Sequence, residues 1–229
     1  MPIGLFGKLP SQGDFVSRRL PWEFTSVWDD WLQAGISSAR SALGSSWNDA
    51  YLTAPLWRFQ LAPGVIGSGA WIGFWFASVD RVGRQFPLAL VEPLPPVRSK
   101  RYLLIEHDEA FFAVEDVALR GLDPRLGFDA FDRSFDGFSL LAEAAAAPAA
   151  VAQVVELQPA ANERQSTGPA QQFATDADAR TVLAAAEAAG PARCCFFTWG
   201  NEQHPPLLYR CDGLADASAF RGFIDGRWP

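Results

Sequence analysis

Hydrophobic positions at helical spacing occupy the chain between Pro21, which suits the first turn of a helix, and Gly44, which supplies a stop. Apolar residues recur there every three or four positions, at Trp28, Leu32, Ile36, Ala39 and Leu43. The spacing predicts one amphipathic helix. Gly35 lowers its intrinsic propensity, so we expect packing to stabilise this helix.

Shorter hydrophobic runs that follow the helix predict strands. Residues 56–61 alternate between apolar and polar types, which predicts a half-buried strand. One face would carry Trp57, Phe59 and Leu61, and the other Arg58 and Gln60. Apolar composition predicts three further strands, at 70–77, 87–92 and 102–106. The link between the first two of these is short enough to join an antiparallel pair.

The second half of the chain predicts helices and then a hairpin. Helical spacing covers three ranges, 108–120, 124–147 and 176–189. A surface loop is expected at 162–172, a hairpin from 194–199 and 207–211, and a last helix at 216–224. This order predicts an α/β protein of the α+β type, with a mixed, largely antiparallel central sheet and helices on both faces. We expect a single domain over residues 1–229.

Composition narrows the classes of partner. The chain has 229 residues, 49% of them hydrophobic, and a net charge of -7 without a Lys/Arg-rich run. A phosphate-backbone contact surface is therefore not expected, which argues against nucleic acid as a partner. The apolar runs are too short to span a bilayer, and the first twenty residues lack a signal-peptide pattern. We expect a cytoplasmic protein without membrane insertion.

Residues that commonly carry chemistry show no catalytic pattern. His107 and His204 have no nucleophile or metal-ligand spacing beside them, and we expect both at the surface. The three cysteines, Cys194, Cys195 and Cys211, lack the spacing of a zinc site or a disulfide framework. We expect them to be reduced and buried, with the adjacent pair pointing to opposite faces of a strand. No catalytic, cofactor or metal site is predicted.

The stretch GKLPSQGDF at residues 7–15 places a glycine-lysine pair near a serine and an aspartate. A nucleotide-binding P-loop needs a glycine five residues before that pair and a Ser or Thr directly after it. Pro2 and Leu9 occupy those positions, and Pro10 removes a further backbone donor. The stretch is therefore not predicted to bind nucleotide.

A charged segment at residues 78–87 lies between two predicted strands, and it allows two interpretations. In the structural one, Asp80 accepts backbone hydrogen bonds within the turn and Gly83 takes a positive φ angle. In the functional one, Arg81 and Arg84 form a fork for a carboxylate or phosphate on a partner. We favour the structural interpretation.

Tryptophan is abundant, with nine residues in the chain. Most of them should be buried, because one helix and a few strands need large apolar surface. One or two could anchor an interface, and we expect Trp22 and Trp47 to be exposed and available for this role.

These stretches together resemble the TagF family of type VI secretion-associated proteins. The resemblance depends on GKLPSQGDF, on Trp28-Asp29 and Trp31-Leu32 in the first helix, on YLTAPLWRF at 51–59, and on SVDRVGR at 78–84 with Phe86-Pro87. The segment from 194 to 226 is similar to the carboxy-terminal part of the family, whereas 121–192 carries little of the pattern.

The resemblance implies a non-enzymatic bacterial accessory protein that restrains type VI secretion through protein contacts, with the forkhead-associated scaffold protein as a partner. It implies that residues 7–15 form a strand and a tight turn beside the loop at 80–84. Lys8 and Asp14 would then be turn or interface residues. The alternative is a hydrolase or small-ligand-binding domain that uses Arg58, Asp80 and Arg84.

Overall fold

One antiparallel sheet organises the computed structural model, which describes residues 2–95, 103–142, 171–172 and 192–228. Its strands are β1 Gly4–Gly7, β2 Val16–Arg18, β3 Trp57–Leu61, β4 Ala70–Phe76, β5 Leu88–Leu94, β6 Gln171–Gln172, β7 Cys194–Thr198 and β8 Leu207–Cys211. Their order across the sheet is β2-β1-β5-β4-β3-β7-β8-β6, and every pairing between these strands is antiparallel.

Helices cover both faces of the sheet, as the sequence predicts. They are α1 Trp22–Leu43, α2 Trp47–Leu52, α3 Asp108–Leu119, α4 Phe128–Arg133 and α5 Phe220–Asp225, with short 3-10 turns at Gly44–Ser46 and Arg120–Leu122. Side chains of α1, α2 and α5 share one core with the aromatic face of β3 and β4. Those of α3 and α4 share the second core, on the opposite face. Within the described ranges, none of the helices is long and apolar enough to cross a membrane.

The first helix depends on a close helix contact, as Gly35 suggests. A Cβ atom at Gly35 would lie 2.3 Å from the ring of Phe220 on α5. A larger residue would therefore push the two helices apart. The glycine that weakens α1 intrinsically is the one that lets α5 pack against it.

The prediction for β3 needs correction, because this strand is buried on both faces rather than half-buried. Arg58 and Gln60 point into the core that α3 and the preceding turn complete. Their polar groups are satisfied there by protein partners, which is what permits their burial. Alternation therefore identified the strand but not the environment of its polar face.

The strand predicted at 102–106 is wrong for the described part, residues 103–106. These residues form turns that lead into α3, with the His107 amide donating to the Leu103 carbonyl. Side chains of β3 take the place of a strand partner: the Leu103 amide donates to Gln60 Oε1 at 2.9 Å, and Arg58 Nη1 donates to the Leu104 carbonyl at 2.7 Å. The apolar run reflects burial rather than pairing in the sheet.

The predicted helix at 124–147 is also shorter in the structure. Within its described part, 124–142, the regular α-helix is α4, and turns follow with Gly137 at φ +84°. Residues 143–147, 162–170 and the predicted helix at 176–189 lie outside the described residues. Residues 171–172 form strand β6 instead of loop.

The carboxy-terminal hairpin is confirmed. Cys194 lies opposite Cys211 in the register of β7 and β8, and both face the core shared with α1. Cys195 is in the other core, so the adjacent cysteines do point to opposite faces. All three are buried. The last helix begins at Phe220, because residues 217–219 form a turn.

Candidate functional site

The segment 8–15 after β1 meets the loop 78–86 between β4 and β5, because β1 pairs with β5. Gly7 makes this approach feasible: its φ is +144°, and a Cβ there would lie 2.1 Å from the Pro87 carbonyl oxygen. Hydrogen bonds join the segments, among them one from the Arg81 amide to the Gln12 carbonyl and one from Ser78 Oγ to the Lys8 carbonyl, each at 2.7 Å. The turn lies beside the loop, as the family resemblance implies, but of residues 7–15 only Gly7 belongs to a strand.

Asp80 organises the turn, as the structural interpretation expects. Its Oδ1 accepts the backbone amides of Val82 at 3.1 Å and Arg84 at 2.9 Å. Gly83 has φ +83° and donates its amide to the Asp80 carbonyl at 2.9 Å. Removal of the carboxylate would leave two backbone donors unpaired.

The second oxygen of Asp80 binds two cations. Lys8 Nζ lies 3.0 Å and Arg84 Nε 2.6 Å from Oδ2, and the aspartate and the lysine are both buried. Burial would raise the pKa of Asp80, but hydrogen bonds from the Arg84 amide, the Lys8 and Arg84 side chains and the Val82 amide hold this pKa well below its usual range. We call Lys8, Asp80 and Arg84 the loop cluster; its aspartate is ionised at neutral pH.

Above the loop cluster, two guanidinium groups flank Gly13. Arg84 Nη2 donates to the Gly13 carbonyl at 2.7 Å, and Arg81 Nη2 lies where a Cβ at Gly13 would be 3.0 Å away. Within the part of the chain that the structure describes, the Arg81 side chain has no hydrogen bond or ion pair. Asp14 is exposed and accepts the Phe15 amide at 2.8 Å.

The two segments also carry exposed apolar side chains. Phe15 stacks on Phe6 and meets Phe86 edge to face, with ring centroids 5.7 and 4.8 Å apart, and remains 43% exposed. Val82 at the tip of the loop is 70% exposed. Exposed arginine and aromatic side chains together are a composition typical of protein interfaces.

Arg58 belongs to a second, separate cluster. Its Nε donates to Glu115 Oε1 at 2.7 Å and its Nη1 to Asp108, while the rings of Phe111 and Phe112 lie 4.5 and 4.7 Å from the guanidinium carbon. We call Arg58, Asp108 and Glu115 the Arg58 cluster. Arg58 makes no hydrogen bond or ion pair with Asp80 or Arg84. The trio of the alternative hypothesis is therefore divided between two clusters.

Sequence reasoning missed the two carboxylates of the Arg58 cluster. Asp108 and Glu115 are seven residues apart on α3, which places them two turns apart on one face of a helix. That spacing is readable from the sequence. Their pairing with Arg58 is not, because it depends on how α3 packs against β3.

Residues 4–137 match the family described as TagF N-terminal domain, type VI secretion system-associated. This range is more than half of the 229-residue chain. The chain belongs to the TagF family. It is accordingly an accessory protein of the type VI secretion system.

A solved structure supports this assignment to the TagF family over nearly the whole chain. The structure of PA0076 from Pseudomonas aeruginosa PAO1 is similar to it, with 32% sequence identity and a TM-score of 0.72. The similarity covers 99% of this chain and 96% of that one. No curated protein matches the chain. Both charged clusters lie within the range matched to the TagF family.

Two tryptophans and a histidine singled out in the sequence differ in their burial in this TagF domain. Trp22 is 81% exposed, but Trp47 is buried and donates its indole N–H to Gln85, so the prediction of an exposed Trp47 is wrong. His107 is also buried, with Nδ1 3.0 Å from the Ala142 carbonyl. Among the described residues, no group of three or more His, Cys, Asp or Glu could hold a metal ion.

Proposed function

We propose that this protein is a non-enzymatic negative regulator of type VI secretion that acts after translation, in the cytoplasm, by binding another protein of the apparatus. The forkhead-associated scaffold protein is the partner we name. Membership of the TagF family supports the accessory role. The loop cluster supports binding as the mode of action.

The observation that carries the proposal is the contrast between buried and exposed residues in the two loops, residues 8–15 and 78–86. Lys8 and Asp80, the groups best suited to acid-base chemistry there, are buried and bonded to each other. The surface above them presents Arg81, Val82 and Phe15 to solvent. Buried charges hold the backbone, and the residues left at the surface are of the types that contact proteins.

The regulatory part of the proposal is tested by secretion. Deletion of the gene should raise release of the secreted tube protein, and overproduction should lower it, with transcript levels of the secretion genes unchanged. Restoration of normal release by a plasmid copy is the control. Release that changes in neither strain would contradict negative regulation.

The named partner and the non-enzymatic character need separate experiments. The purified protein should bind the purified forkhead-associated scaffold, with a scaffold-free resin as the control. A thermal-shift screen with nucleotides and phosphorylated metabolites should give no stabilised sample. A ligand at 100 times its dissociation constant would add about 2.7 kcal/mol of stability. Such a shift would favour the small-ligand or hydrolase alternative.

A further inference from the structure

We infer that the surface above the loop cluster is the docking site for an acidic segment of a protein partner, with Arg81 as the residue that binds its carboxylate. The inference rests on the proposed function, since it takes binding to another protein as the mode of action. It adds the surface, the residue that makes the decisive contact and the chemistry of the partner.

The first step is that Arg81 is held in place without being neutralised. Its amide is fixed to Gln12, and its guanidinium lies against Gly13, where the missing side chain leaves room for it. No described residue accepts a hydrogen bond from that guanidinium. An arginine whose backbone is fixed in this way retains its whole planar fork for a ligand.

The second step is that neighbouring cations are already engaged. Lys8 and Arg84 bind Asp80, and Arg40 donates to Gln85 while its guanidinium lies 5.3 Å from the Trp47 ring. Among the described residues of the two loops, one free fork therefore remains, and it matches the two oxygens of a carboxylate. A phosphate group is usually recognised by a cluster of free donors. The geometry thus favours aspartate or glutamate over a phosphorylated residue.

The third step concerns the border of the site. Val82 follows Arg81 in the loop, Phe15 lies two residues after Gly13, and both are substantially exposed. They would exclude water around the ion pair and would contact apolar neighbours of the carboxylate. The two segments carry three cations, Lys8, Arg81 and Arg84, and two carboxylates, Asp14 and Asp80, and this excess of one cation contrasts with the net charge of -7 of the whole chain. An acidic partner would be attracted to this surface and repelled by most of the rest.

The test is photo-cross-linking in cells that carry the intact secretion system. Benzoylphenylalanine replaces Val82 in the full chain, or Leu119 on the opposite face of the sheet as a matched exposed control. We expect the Val82 position to form an adduct with a type VI secretion protein, through a segment that contains Asp or Glu. Introducing Arg81→Gln should lower the adduct yield about tenfold, whereas Arg125→Gln, at an exposed arginine outside the two loops, should leave it unchanged.

Several results would overturn the inference: no adduct at Val82, an equal yield of the same adduct at Leu119, an Arg81→Gln yield equal to wild type, or an adduct that disappears after phosphatase treatment. Thermal unfolding of the Arg81→Gln protein verifies that it is folded. An adduct with a secretion protein other than the scaffold would support the docking surface and contradict the named partner. Unchanged secretion in the deletion strain, with the adduct present, would contradict regulation alone.

Discussion

The loop cluster and the Arg58 cluster have the same chemistry in opposite arrangements. In the loop cluster one buried carboxylate, Asp80, binds two cations, whereas in the Arg58 cluster one buried guanidinium binds two carboxylates. The loop cluster reaches the surface through Arg84, whose side chain is 62% exposed. Arg58 is 1% exposed beneath Phe112. The loop cluster therefore supports a solvent-exposed surface, whereas the Arg58 cluster is enclosed in the core.

The backbone groups that each cluster holds explain this difference. Asp80 binds amides within its own turn, so it fixes the shape of a loop that meets solvent. Arg58 binds the carbonyl of Leu104, which lies 46 positions along the chain. It thereby ties the turn before α3 to the central strand β3. The backbone groups that Asp80 holds are therefore local, whereas the carbonyl that Arg58 holds belongs to a distant segment.

The largest effect that tests this comparison is expected for Arg58→Ala. The change removes the guanidinium that Asp108 and Glu115 share in a mostly buried site, and with it the donor to Leu104. We expect a loss of about 3 to 5 kcal/mol in the free energy of unfolding, measured by urea denaturation. The control is Arg125→Ala, an exposed arginine that should change stability by less than roughly 0.5 kcal/mol. A loss below about 1 kcal/mol for Arg58→Ala would show that the cluster does not close the core.

The next effect is expected for Asp80→Ala, at about 3 kcal/mol, because two backbone donors and the buried Lys8 ammonium all lose their partner. Asp80→Asn keeps an acceptor for the backbone and should cost less. Adding Lys8→Met to Asp80→Asn should recover part of the loss, because the unpaired charge is removed. If the two single variants at Asp80 were equally stable, the turn-holding role of its oxygen would be wrong.

The sequence predicted those elements whose signal is local. Helix α1, strands β4 and β5 and the β7–β8 hairpin follow from hydrophobic spacing and from the turns between them. The Asp80 turn was also predictable, because its acceptor and donors lie within four residues. Side chains that bond to their own neighbourhood leave a readable pattern.

Contacts between distant segments were not predictable from one sequence. Lys8 and Asp80 are 72 positions apart, and their pairing depends on the neighbouring positions of β1 and β5 in the sheet. The run at 102–106 predicted a strand because apolar composition reports burial. Its described backbone is satisfied instead by Arg58 and Gln60, which the spacing of hydrophobic residues does not reveal.

The pH dependence of stability offers a third test of the loop cluster. The folded-state pKa of Asp80 is held below the value of about 3.9 of an aspartate in an unfolded chain. The unfolded state therefore takes up the proton first as the pH falls. This contribution to stability is complete above about pH 5 and is lost as the pH falls through the folded-state pKa. Urea denaturation between about pH 5 and pH 2 should show a steeper loss for wild type than for Asp80→Asn; parallel curves would contradict the ionised, bonded carboxylate.

A smaller effect is expected at the exposed end of the loop cluster. Arg84→Ala removes one of two cations on Asp80 and the donor to the Gly13 carbonyl, but Lys8 and the backbone amides remain. Because the arginine is largely solvated, we expect a loss of about 1 kcal/mol by urea denaturation. A loss as large as that of Asp80→Ala would place Arg84 with the buried residues rather than at the surface.

The smallest effect on stability is expected for Arg81→Gln, next to Arg84 in the same loop. The side chain has no hydrogen bond or ion pair among the described residues, so its loss should change the free energy of unfolding by less than roughly 0.5 kcal/mol. Partner binding should fall more for Arg81→Gln than for Arg84→Ala, because Arg81 has a free fork and Arg84 does not. Measuring unfolding and partner binding on both variants therefore shows which arginine stabilises the loop and which one binds the partner. Equal losses of stability in the two variants would mean that both arginines hold the loop, and the surface above Gly13 would then lack its free cation.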